Sequence, residues 1–180
     1  LLASGNVGVM AATNEAVDEA EVIMLLMLFG AISLLVYMEF RSVLAVLCIV
    51  VPLSIAAVLC NALMAMMDIG LKVATLPVIA LGVGVGVDYG LYLFERMKLK
   101  LEAGDSLEEA FHTALQQRGT AAIFTAVTMS VSVGTWAFSA LKFQADMGIL
   151  LAFLFSVNMI GAVMVLPAMA AFMIKTKKSK

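Results

Sequence analysis

The chain has 180 residues, of which 63% are hydrophobic and 13% charged, where an ordinary soluble domain carries about 25% charged residues. That composition excludes a soluble globular fold and leaves an integral membrane protein. A formal net charge of −2 argues equally against a nucleic-acid partner, because no basic face is available to neutralise phosphates.

Residues 1–20, with Gly5, Gly8, Asn14 and the acids Glu15, Asp18 and Glu19, are too polar for a bilayer and too few for a domain. They read as the end of an extracytoplasmic domain, and the start at Leu1 without Met reads as the later part of something longer. An apolar run over about 22–40 is long enough to cross ~30 Å of hydrocarbon as a helix. It stops at Glu39–Arg41. A second span is predicted over 42–67, with Pro52 as a kink inside it. Cys48 and Cys60 lie on this span about 18 Å apart at ~1.5 Å per residue, so they cannot bridge each other. The polar turn Asp68–Lys72 leads to a third span over 75–94, with Pro77 near its start, closed by Glu95, Arg96, Lys98 and Lys100.

Residues 101–119 form the substantial polar stretch after the first span. Ser106 and Glu109 have capping-box spacing, and Leu107, Ala110, Phe111, Ala114 and Leu115 share one helical face. The pattern predicts a short amphipathic helix over about 106–117, resting on the membrane surface. His112 falls off that face and reads as solvated. A fourth span follows over 120–139, then a turn, a fifth span over 146–174 and a basic tail over 175–180, which makes 21–174 the transmembrane domain. Nine of the eleven Lys and Arg residues fall on one side if the Arg41 turn, the 95–119 loop and the tail share it. By the positive-inside rule that side, with the C-terminus and the amphipathic helix, is cytoplasmic.

The residues that point to chemistry lie in the third span, in the run Gly82-Val83-Gly84-Val85-Gly86-Val87-Asp88-Tyr89-Gly90. An acid in a membrane helix costs several kcal/mol, at least about 2.5 on insertion scales, so Asp88 points to an ion or proton path. Tyr92 stands one turn away and Tyr89 about 100° round the helix. Gly82, Gly86 and Gly90 repeat every four residues, which suits close helix packing, and Gly84 gives a tight spot one turn from Asp88. Gly82, Gly84, Gly86 and Gly90 are therefore all expected at helix contacts. The glycines do not follow a nucleotide-binding fingerprint. Without a metal-ligand cluster or a Ser/His/Asp set, neither an enzyme nor a bound metal or cofactor is expected. On the fourth span Thr125, Thr128, Ser132, Thr135 and Ser139 draw one hydroxyl stripe, expected to turn toward Asp88, against the alternative that each bonds back to its own helix. Asn158, midway along the fifth span, reads as glue between helices. The coupling ion expected for a desolvated carboxylate is a proton, with sodium left open.

Gly84-Val85-Gly86-Val87-Asp88-Tyr89-Gly90, the Phe94-Glu95-Arg96 exit, Gly104 with Glu109-Ala110, Arg118-Gly119-Thr120-Ala121, Phe143 to Met147, Gly148 and Pro167 together resemble the resistance-nodulation-division (RND) superfamily, most closely its MMPL-type exporters. The resemblance covers nearly the whole chain. It implies an all-α membrane protein: five transmembrane helices of an RND-type six-helix repeat plus the short cytoplasmic amphipathic helix. It also implies that the partner repeat of the same polypeptide lies outside this sequence, and that Asp88 and Tyr89 match the proton-relay pair of MMPL-type members; the hydroxyl stripe adds Thr125, Thr128 and Ser132 to the expected relay. The function so implied is proton-driven export of lipids or other hydrophobic compounds from a bacterial inner membrane, amid membrane lipids and with a homo-oligomer open. The alternatives are a protein-export accessory subunit like SecD/SecF, from which Tyr-Gly after Asp88 departs, and a sterol-sensing or structural membrane module.

Overall fold

The computed structural model describes residues 6–69 and 76–178, and side chains over 22–69 and 77–172. All regular structure among the described residues is helical, and five helices are long and apolar enough to cross a membrane. Helix α1, Asn6–Phe40, takes in the acidic stretch without a break. At ~1.5 Å per residue, a helix of 35 residues exceeds the ~30 Å of hydrocarbon by more than half. Only Val22–Phe40 is apolar enough to cross. Arg41 stops the helix by adopting φ 47° while its N–H still donates to the Tyr37 carbonyl at 2.8 Å.

Helix α2, Val43–Met66, ends in a Schellman motif. Asp68 sits at φ 56°, its N–H donates to the Ala65 carbonyl, and the Ile69 N–H reaches back to the Met64 carbonyl at 3.0 Å. Ile69 is buried there. The rest of the expected turn to Lys72, the Thr75 start of the third span, the first residues of the acidic stub and the last two of the basic tail lie outside the described residues.

Helix α3, Leu76–Glu102, runs two turns past Phe94, where the hydrocarbon span was expected to close. Apolar residues continue on its inner face beyond the polar boundary, with Phe94 and Met97 buried, and Gly104 at φ 97° supplies the left-handed turn that ends it. The Phe94 ring meets Phe40 edge-on at 5.2 Å, and the Lys98 ammonium lies 5.6 Å from the Phe40 ring centre. These contacts join the end of α1 to α3.

Helix α4, Leu107–Ala114, begins at the expected capping box. The Ser106 hydroxyl accepts the Glu109 N–H at 3.3 Å, and the Glu109 carboxylate accepts the Ser106 N–H at 3.2 Å. The face expected to rest on lipid is instead covered by protein: Ala110 and Ala114 are fully buried where α4 packs on α3. Two alanines one turn apart allow that close approach. No loop separates α4 from the fourth span. A π-helical turn, Leu115–Gly119, joins it to α5, Thr120–Gly134, with right-handed helical φ and ψ at both joins. A 3-10 turn, Thr135–Phe138, then leads to α6, Lys142–Lys178.

Helix α6 packs on α2, α3 and α5. In their apolar stretches 44% of α2, 50% of α3 and 44% of α6 are buried, against 11% for α1 and for the α4–α5 helix. The core is therefore the α2–α3–α6 triangle, built on Ile49, Leu53, Val83, Leu150, Leu154 and Leu166. Lipid is as apolar as leucine, so what holds this triangle is packing and interhelical hydrogen bonding more than exclusion from water.

Candidate functional site: the Asp88 face of α3

Helix α3 turns Val78, Ile79, Val83, Tyr89 and Leu93 into the bundle. Leu81, Gly84, Asp88, Tyr92, Glu95 and Leu99 stay exposed, at steps of three and four along the opposite face. Asp88 stands near the middle of that face, on a ridge between two grooves. The groove between α1 and α3 has a volume of about 440 Å³ and is lined by Ile32, Val36, Glu39, Asp88, Tyr92 and Glu95. The groove between α3 and the start of α5, of about 320 Å³, is lined by Asp88, Tyr89, Tyr92, Arg118, Thr125 and Met129.

Tyr89, about 100° round the helix from Asp88, lines the α3–α5 groove from the buried side of α3. It is 2% exposed, packed with Leu93, Ala122, Ala126 and Ala162, and its hydroxyl has no hydrogen-bond partner among the described residues. A buried phenol without a partner is unstable against any donor or acceptor that can reach it. Thr125 is the residue of the hydroxyl stripe that lines this groove. Thr128 is exposed and bonds back to its own helix, donating to the Phe124 and Thr125 carbonyls at 2.9 and 3.0 Å. Thr135 does likewise with the Ser132 carbonyl, and Ser132 faces outward. The stripe expected to turn as a whole toward Asp88 thus meets it only at Thr125, because only the first turns of α5 approach that face of α3.

The glycines divide by face. A Cβ at Gly82 would run into Leu154, one at Gly86 into Asn158, and one at Gly90 would touch Ile49 at 3.4 Å. Gly84 has nothing within 4 Å. It was expected at a helix contact, but two residues from Gly82 is about 200° round the helix, which puts Gly84 beside Asp88 on the open face. The Asn158 side chain donates to the Gly82 carbonyl at 2.8 Å, joining α6 to α3.

Several residues here escaped sequence reasoning. Arg118 read as one of the cytoplasmic charges and as part of the Arg118-Gly119-Thr120-Ala121 motif, with no place at the site, but the π-helical turn that carries it brings it to the α3–α5 groove, and π turns recur at functional positions. The Arg96 guanidinium donates to the Gln117 side chain, which joins α3 to that same turn. Glu39 and Glu95 read as span ends, yet both line the α1–α3 groove. Ser130, off the stripe, meets Ser156 at 3.1 Å and links α5 to α6. Among the described residues no three His, Cys, Asp or Glu side chains gather as a metal site. The arrangement offers a carboxyl that can gain or lose a proton, with a phenol, a hydroxyl and a guanidinium around the adjoining groove.

The chain matches the MMPL family model over residues 3–179. It is 30% identical over 138 residues to a membrane protein of Methanocaldococcus jannaschii, a match covering 77% of this chain and 35% of that protein. The chain thus spans about a third of the length of the curated relative it matches.

Proposed function

This chain belongs to the MMPL family, and from that premise we propose that it is the membrane half of a proton-driven exporter in which Asp88 takes up and releases the coupling proton. The observation that carries this reading is the exposed Asp88 at the middle of a membrane-crossing helix. A charged carboxylate cannot rest against lipid without a cost of several kcal/mol, roughly 2.5 or more. It must be neutral there, or face water or another protein surface.

Protonation makes the Leu81–Gly84–Asp88 face apolar enough to close against a neighbour, and deprotonation makes that closed state unfavourable. Such a face has two arrangements, and a proton gradient biases between them. Tyr89 and Thr125 relay the proton along the α3–α5 groove, which Arg118 also lines. The neighbour is the other six-helix repeat of the same polypeptide. The cargo is a lipid or other amphiphile, carried out of the cell across the cytoplasmic membrane, with the C-terminus and α4 on the cytoplasmic side. Thr128 and Ser132 take no part in the relay.

The test is gradient-driven proton flux in vesicles holding the intact protein, wild type against Asp88→Asn, with folding checked in both. Loss of flux in a folded variant is the expected result. Unchanged flux would reduce Asp88 to a structural acid and leave a membrane module without proton coupling.

A further inference from the structure

Beyond that reading, we infer that one buried water molecule sits where α2, α3 and α6 meet, donating one hydrogen bond to the Cys48 carbonyl and the other to Oδ1 of Asn158. Pro52 lies inside α2 and has no N–H. In an unbroken helix the N–H of residue 52 would serve the carbonyl of Cys48, four residues back, so that acceptor has lost its helical donor. Inside a membrane no bulk water replaces it, and the freed carbonyl must be satisfied locally. The Ser54 hydroxyl, two residues along α2 from Pro52, is already engaged with the Val50 carbonyl at 2.9 Å.

The second acceptor comes from α6. Asn158 is 2% exposed, and its amide nitrogen donates to the Gly82 carbonyl at 2.8 Å. Its Oδ1 is buried and has no partner among the described residues. Cys48, Pro52 and Asn158 all line one small space of about 10 Å³, together with Gly86, Gly90 and Ala162. That volume is about the least that holds one water, ~10–15 Å³ on the same measure. The frame around it is tight: a Cβ at Gly86 would strike the Asn158 carboxamide, and Gly161 brings α6 within contact of Pro52.

The chemistry selects the occupant. The two groups left without a donor on these lining residues, the Cys48 carbonyl and Asn158 Oδ1, are both acceptors, so an occupant that serves them must donate twice and fit the room of a single small molecule. Water does both. A cation would need more oxygen ligands than these two groups supply. With the water in place Asn158 ties three helices together, directly to α3 and through the water to α2.

The test is water-to-amide magnetisation transfer by NMR on the intact protein in lipid nanodiscs, labelled with 15N at asparagine. The Asn158 side-chain signal is assigned by its loss in Asn158→Leu. Transfer to that signal is expected in the wild type, and it should fall to the level of a dry core amide in Pro52→Ala, whose new N–H takes over the Cys48 carbonyl. If Pro52→Ala does not fold, Ala162→Val puts methyl groups into the same space and should remove the transfer equally. No transfer in the wild type would overturn the inference. So would transfer that persists in the folded variants, since the water would then not bridge to α2. A shift of the Asn158 signal on exchanging sodium for potassium would identify a cation instead, and overturn it too.

Discussion

Replacing Gly86 with alanine probes the joint between α3 and α6 at its tightest point. The added Cβ would fall on the Asn158 carboxamide and only 3.0 Å from the Asn158 Cβ. The carboxamide can rotate away, but the Cβ is fixed by its backbone, so the helices must part or strain. Rotation also breaks the 2.8 Å bond from Asn158 to the Gly82 carbonyl. Overpacking of this kind costs about 1–3 kcal/mol, and an interhelical hydrogen bond in a membrane is worth about 0.6 kcal/mol. Alanine's better helix propensity offsets roughly 1 kcal/mol of that. The balance is a destabilisation of about 0.6–2.6 kcal/mol, within the usual range for a core change. Gly84→Ala is the control. With nothing within 4 Å of its Cβ, it should stabilise by about 0.5–1 kcal/mol from propensity alone. The assay is SDS-induced unfolding of the 180-residue chain in mixed micelles, followed by helical circular dichroism. If Gly86→Ala proves as stable as Gly84→Ala, the close α3–α6 contact is not a feature of the folded chain.

Three further outcomes are expected. In vesicles, Thr125→Val should slow gradient-driven proton flux several-fold, whereas Thr128→Val, whose hydroxyl only bonds back to its own helix, should leave it unchanged. Ser106→Ala removes the hydroxyl that accepts the Glu109 N–H and leaves the backbone N–H that donates to the Glu109 carboxylate; it should cost about 1 kcal/mol, read as faster hydrogen exchange of the α4 amides with α5 unaffected. Gly104→Ala forces a side chain onto φ 97° and should cost about 1–2 kcal/mol, seen as a lower melting temperature of the chain.

The amino-acid sequence by itself determined the membrane-crossing helices, the capping box at Ser106 and Glu109, and the carboxylate in the middle of the third span. Each is a local property: the length of an apolar run, a spacing of three residues, the identity of one side chain. Periodicity went one step further and put Gly82, Gly86 and Gly90 on one face. It could not separate Gly84 from a packing role, because spacing says which residues share a face and not which face is covered. The same gap explains the two other departures. An amphipathic pattern around Ala110 and Ala114 requires that a face be covered, but α3 and lipid satisfy that requirement alike. A stripe of five hydroxyls from Thr125 to Ser139 defines a line on a cylinder, while the crossing of α5 over α3 decides that only Thr125 reaches the groove. Tertiary structure alone brought Arg118 and Thr125 to the groove that Asp88 lines and set Asn158 against Gly82. Those neighbours lie far apart in the chain, and they meet because of how long helices pack and cross, which no single helix's pattern encodes.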